Sequence, residues 1–69
     1  MDTYYVTIVY RIAPDDTASA VFEWLHPARN ATEAATWAGV ELGVSLANGR
    51  RVSDPSTIEI RQTAVERVR

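Results

Sequence analysis

Hydrophobic and polar positions alternate with a period of two over residues 3–12. Tyr4, Val6, Ile8, Tyr10 and Ile12 fall on one face, and Thr3, Tyr5, Thr7, Val9 and Arg11 on the other. β-Branched and aromatic residues dominate the stretch, which predicts a strand. Its even face is expected to meet the core. Its odd face is mixed, as where an antiparallel sheet leaves one side to water. Residues 18–25 repeat the pattern, with Ala18, Ala20, Phe22 and Trp24 on the better core face and Ser19, Val21, Glu23 and Leu25 opposite. Between the two runs, Ala13-Pro14-Asp15-Asp16-Thr17 reads as a turn, because proline presets one backbone angle and the aspartates bond their own backbone. The short connection predicts an antiparallel hairpin. Its outer face carries Tyr5, Val9, Val21 and Leu25 among polar neighbours. Scattered surface hydrophobes are the simpler reading of that face. A second contact surface is the other.

The period changes to 3.6 over residues 30–49. Asn30 is a good N-cap, and Glu33 stands three positions later, where a capping-box acid reaches back to the cap amide. Ala31, Ala34, Ala35, Ala38 and Leu42 favour helix. Asn48-Gly49 predicts the end, with Gly49 expected to turn left-handed. Ala34, Ala35, Ala38, Leu42 and Leu46 form one apolar stripe, while Trp37, Val40, Val44 and Ala47 form a second. Gly39 and Gly43 lie between them on one side. One stripe is expected to face the sheet and the other to remain exposed. In one assignment the alanine stripe faces the sheet, since alanines let the helix sit close to large strand residues. The alternative turns Trp37 inward and leaves the glycine side open to a second helix.

Residues 57–64 predict a third strand, with Ile58 and Ile60 inward and Thr57, Glu59, Arg61 and Thr63 outward. Gln62 breaks the inward pattern, as at a sheet end or a bulge. Residues 65–69 form a charged tail that either continues the strand or frays. The expected fold is therefore α+β: a ββαβ chain forming one domain over residues 1–69, with a three-stranded sheet and one helix packed on one face. The long first strand is expected at the centre. Its core would set Tyr4, Val6, Ile8, Tyr10, Ala20, Phe22, Trp24, Ile58 and Ile60 against Ala34, Ala35, Ala38, Leu42 and Leu46.

Composition then narrows the function. A chain of 69 residues buries only about 60% of its unfolded surface. It has no cysteine and one histidine, so no disulfide staple, thiolate site or histidine metal site is expected. Small domains without staples often gain burial by association. The net charge of −2 argues against a general nucleic-acid binder. No apolar run approaches the ~20 residues of a membrane span, and the start MDTYY lacks a signal-peptide pattern. A cytoplasmic protein with no membrane contact is expected. All seven basic residues are arginine. With abundant Ala and Val, this points to a GC-rich genome such as that of an actinobacterium or its phage.

Candidate chemistry is sparse. Asp15-Asp16 resembles an acid pair, but no ligand or base accompanies it, and turn chemistry suffices. His26-Pro27-Ala28-Arg29 is read as a link to the helix, with Pro27 stopping the strand. His26 has an ordinary pKa near neutrality and the makings of a general base. No nucleophile stands in a recognisable arrangement with it, so a surface or capping histidine is the simpler reading. Arg50-Arg51 suit a phosphate or a carboxylate, or merely compensate the helix dipole. There is no glycine-rich phosphate loop, metal cluster or nucleophile elbow, so no catalytic residue, cofactor or metal is expected.

The stretches TYYVTIVYRI, SAVFEWL and ATEAATWAGVELG give the chain a pattern-level resemblance to small, alanine-rich proteins of actinobacterial phages. Some of those act by binding a host protein, which the resemblance makes a candidate partner here, in the host cytoplasm. The leading expectation is a non-enzymatic interaction protein, a homodimer using Trp37, Val40 and Val44 as its protein-binding contact. The competing expectation is a nucleic-acid-binding module using Arg11, Arg50, Arg51 and Arg61 with Tyr5, since outward arginines and an aromatic on a sheet can meet phosphates and stack bases.

Overall fold

The computed structural model describes residues 1–12, 18–49 and 58–68. The sequence-predicted turn at 13–17 and the Arg50-Arg51 loop lie outside them. The elements run β1 (Asp2–Ile12), β2 (Ala20–Ala28), α1 (Ala31–Asn48) and β3 (Ile58–Arg67). The fold is α+β, with strand order β2-β1-β3 and both outer strands antiparallel to β1. β1 is central, as its alternation of apolar and polar residues suggested.

The core lies on one side of the sheet. Tyr4, Val6, Ile8, Tyr10 and Ile12 are buried under Ala34, Ala38, Leu42 and Leu46 of α1, with Ala28 beside them. The alanine stripe therefore faces the sheet. Small side chains at 34 and 38 leave room for the large strand residues, and Leu42 and Leu46 continue the buried stripe. Ala20, Phe22, Trp24, Ile58 and Val65 are partly buried around this centre.

Four local expectations are corrected. First, β2 starts at Ala20, with Ala18 and Ser19 outside it, and does not stop at Pro27. It continues to Ala28, pairing Tyr4 with His26, Thr3 with Pro27 and Asp2 with Ala28. β2 is an edge strand, where a residue without an N–H is tolerated. Running on places Ala28 in the core at 1% exposure.

Second, Thr63 is not outward, because β3 carries a bulge of the kind Gln62 suggested. Val9 pairs with Gln62 but Tyr10 pairs with Ile60, so Arg61 is an extra residue. The parity of the strand flips there. Ile58 and Ile60 share the helix side with Thr63 and Val65, so Thr63 is not outward as its spacing suggested. The strand then continues through the charged tail to Arg67, and the N–H of Val68 donates to the Thr3 carbonyl at 2.8 Å.

Third, Ile60 is not core; it is 49% exposed. Gly39 and Gly43 of the helix, with Leu42, Ile58 and Ile60, line an apolar groove of ≈ 230 Å³ beside it. Fourth, Gly49 caps the helix in a right-handed conformation, φ −77° and ψ −1°, with its N–H donating to the Ser45 carbonyl at 3.0 Å. The helix ends there without the left-handed turn glycine would permit.

Candidate interaction surface

Asn30 fixes where α1 begins. Its side-chain oxygen accepts from the Glu33 N–H at 2.8 Å, while Glu33 Oε1 accepts from the Arg29 N–H at 3.4 Å, one residue upstream of the cap. With the start set and Ala34, Ala38, Leu42 and Leu46 inward, the helical period dictates the rest. Val40 and Val44 must point away from the sheet, and Trp37 must sit toward the β2 flank. Trp37, Val40 and Val44 are 53%, 49% and 48% exposed. Ala47 is exposed beside them. The structure thus brings the three sequence-predicted contact residues to one outer helix face.

A second apolar surface lies on the uncovered side of the sheet. Val21 and Leu25 are exposed on β2, and they pair with Val9 and Tyr5 of β1 on the same face. Polar residues surround them.

The arginines proposed for anion contact are placed differently. Arg11 and Arg61 converge on one carboxylate: Arg11 Nη2 lies 2.8 Å from Glu59 Oε2, and Arg61 Nη1 lies 3.0 Å from Glu59 Oε1. Arg11 and Glu59 are cross-strand partners, and the bulge residue Arg61 reaches back two positions. The Arg11 hydrogen bond and charge, with the Arg61 charge, hold the Glu59 carboxyl below its ordinary value of 4.5. Arg50 and Arg51 lie outside the described residues. Arg67 approaches Asp2 at 3.7 Å.

Sequence reasoning missed a cleft. Trp24, His26 and Pro27 of β2 face Glu33, Trp37 and Glu41 of α1 across an open space of ≈ 210 Å³. The His26 ring stacks on the Trp24 indole, with centroids 5.5 Å apart and planes at 28°. The signal was present. Glu33, Trp37 and Glu41 recur every four residues, hence on one helical line, and Trp24 and His26 share a strand face. It became visible only once β2 was known to run through Pro27. Among the described residues, no three His, Asp or Glu side chains come together to hold a metal ion. Among them, too, no helix is long and apolar enough to cross a membrane.

No family model, curated protein or solved structure matches this chain.

Proposed function

We propose that this protein is a non-enzymatic interaction module that self-associates as a homodimer through the outer face of α1. Trp37 is the anchor, with Val40 and Val44 beside it. The observation that carries this reading is the half exposure of all three on one helix face. Tryptophan is enriched among the few residues that carry most of the binding energy at interfaces. Trp37, Val40, Val44 and Ala47 are spaced 3, 4 and 3 residues apart, the spacing of a seam between paired helices. A second copy supplies the same seam, so a twofold axis through the stripe pairs like with like. The phage resemblance extends the reading to a host protein with an apolar helix face, taken up by the same stripe.

The test is the concentration dependence of thermal stability. A dimer gains stability by mass action, so its Tm rises over about a hundredfold increase in protein concentration. Trp37→Ala is expected to abolish that rise while leaving the dilute-limit Tm nearly unchanged, since the side chain is half exposed. A Tm independent of concentration in the wild type contradicts self-association and leaves only the host-protein arm.

A further inference from the structure

We infer that the cleft between β2 and α1 is a binding site for an organic cation, an alkylammonium head group, held between Trp24 and Trp37 and neutralised by Glu41 and Glu33. The site shares Trp37 with the proposed dimer contact but does not rest on it, because its other lining residues, Trp24, His26, Pro27, Glu33 and Glu41, are not part of that contact.

Three observations converge. The first is the lining. Two indoles come from opposite walls, one from the strand and one from the helix, and two carboxylates lie one turn either side of Trp37 along the helix. The indole face carries negative charge density and attracts cations more strongly than other aromatic rings do. Carboxylates add formal charge of the same sign, so the lining selects against anions and for a cation with an apolar exterior.

The second is the charge balance. Arg29 shares Glu33, with Nε 3.9 Å from Oε2, and is itself 77% exposed. Glu41 has no cationic partner among the described residues, and α1 contains no basic residue. Among the described residues, the cleft therefore keeps an excess of negative charge.

The third is size and stiffness. A volume of ≈ 210 Å³ falls below the ~300–1,000 Å³ of sites for drug-sized ligands, and suits one head group. The His26 ring against Trp24 braces that wall. A small hard metal ion is not the match, since no set of three oxygen or imidazole ligands converges there among the described residues. The chain has no lysine, so a lysine-type ammonium comes from another molecule, either a free quaternary amine or a methylated lysine of a partner.

Both tryptophans of the chain line this cleft, so indole fluorescence reports on it directly. The experiment titrates the full chain with tetramethylammonium chloride, with sodium chloride at equal ionic strength, and with tert-butanol as a neutral molecule of similar shape. Saturable change with tetramethylammonium alone is expected. Glu41→Gln, an exposed and conservative change, should weaken it by about fivefold, the loss of one charge contact near aromatic rings. The same titration on Val44→Glu, which disrupts the outer stripe without touching the cleft lining, should stay saturable and be at least as tight, since a monomer leaves Trp37 free to line the cleft; this separates failure of the site from failure of the dimer. Two further arms, choline and a trimethyl-lysine peptide, distinguish the source, and tighter binding of either identifies it. A response to tetramethylammonium no larger than that to sodium chloride, or equal affinity in wild type and Glu41→Gln, overturns the inference.

Discussion

Asn30 and Glu59 each organise a set of polar atoms that the chain could not leave unpaired at no cost. Asn30 gives the first turn of α1 an acceptor for the Glu33 N–H. Asn30→Ala removes it and is expected to cost about 1 kcal/mol, seen as a lower urea midpoint at constant slope. An unmoved midpoint would mean that water replaces the cap fully. Glu59 lies between Arg11 and Arg61, and its depressed pKa fixes the direction of its pH effect. The stabilisation is complete above the unfolded value of 4.5 and is lost as pH falls through the lower folded value. Glu59→Gln should therefore be less stable than wild type at neutral pH, with the gap closing below 4.5 and shrinking with added salt. A gap constant from pH 7 to the acid limit would show that packing, not charge, sets the difference. At this scale the cap was legible because Asn30 and Glu33 are neighbours in sequence. The Glu59 cluster was not, because Arg11 stands 48 residues away and only the strand register joins them.

Elements were legible where one face alone decided them. β1 shows its alternation because α1 buries its even face while its odd face stays partly open. β2 was cut short by reading Pro27 as a terminator, a rule that holds for central strands and relaxes at an edge. β3 defeated the pattern at Arg61, since one inserted residue exchanges the two faces of everything after it. Only the polar Gln62 hinted at this. Ile60 points to the helix side as its spacing suggested, yet stays half exposed beside a groove where the helix presents two glycines, Gly39 and Gly43. No pattern within β3 carries that information. The same gap yields a prediction. A Cβ built at Gly39 or Gly43 meets nothing within 4 Å. Gly39→Ala and Gly43→Ala should each stabilise the protein by about 0.5–1 kcal/mol through helix propensity and reduced unfolded-state entropy. Denaturant unfolding measures this. A loss of stability in either variant would mean that the groove over Ile58 and Ile60 is normally filled.

The whole molecule is a thin slab, 37 × 20 × 15 Å, with helix on one side of the sheet and nothing described on the other. Its radius of gyration of 12.3 Å exceeds the roughly 11 Å expected for a compact chain of this length. Its 4810 Å² of accessible surface likewise exceeds the roughly 4,300 Å² expected for a monomer of its mass. Among the described residues, one core of ten buried hydrophobics leaves Trp37, Val40 and Val44 half in water. Sequence alone showed two apolar stripes on one helix; the structure decided which is inward by matching alanines to the large side chains of β1. The central claim is that the remaining stripe joins two copies. Sedimentation equilibrium on the wild type and on Val44→Glu tests it most directly. For the proposed dimer, the wild-type mass is expected to climb toward twice the 7.7 kDa of the chain as concentration rises, and the Val44→Glu mass to stay at 7.7 kDa with the fold intact by circular dichroism. A wild type that remains at 7.7 kDa at every concentration, or a folded Val44→Glu that dimerises as the wild type does, contradicts it.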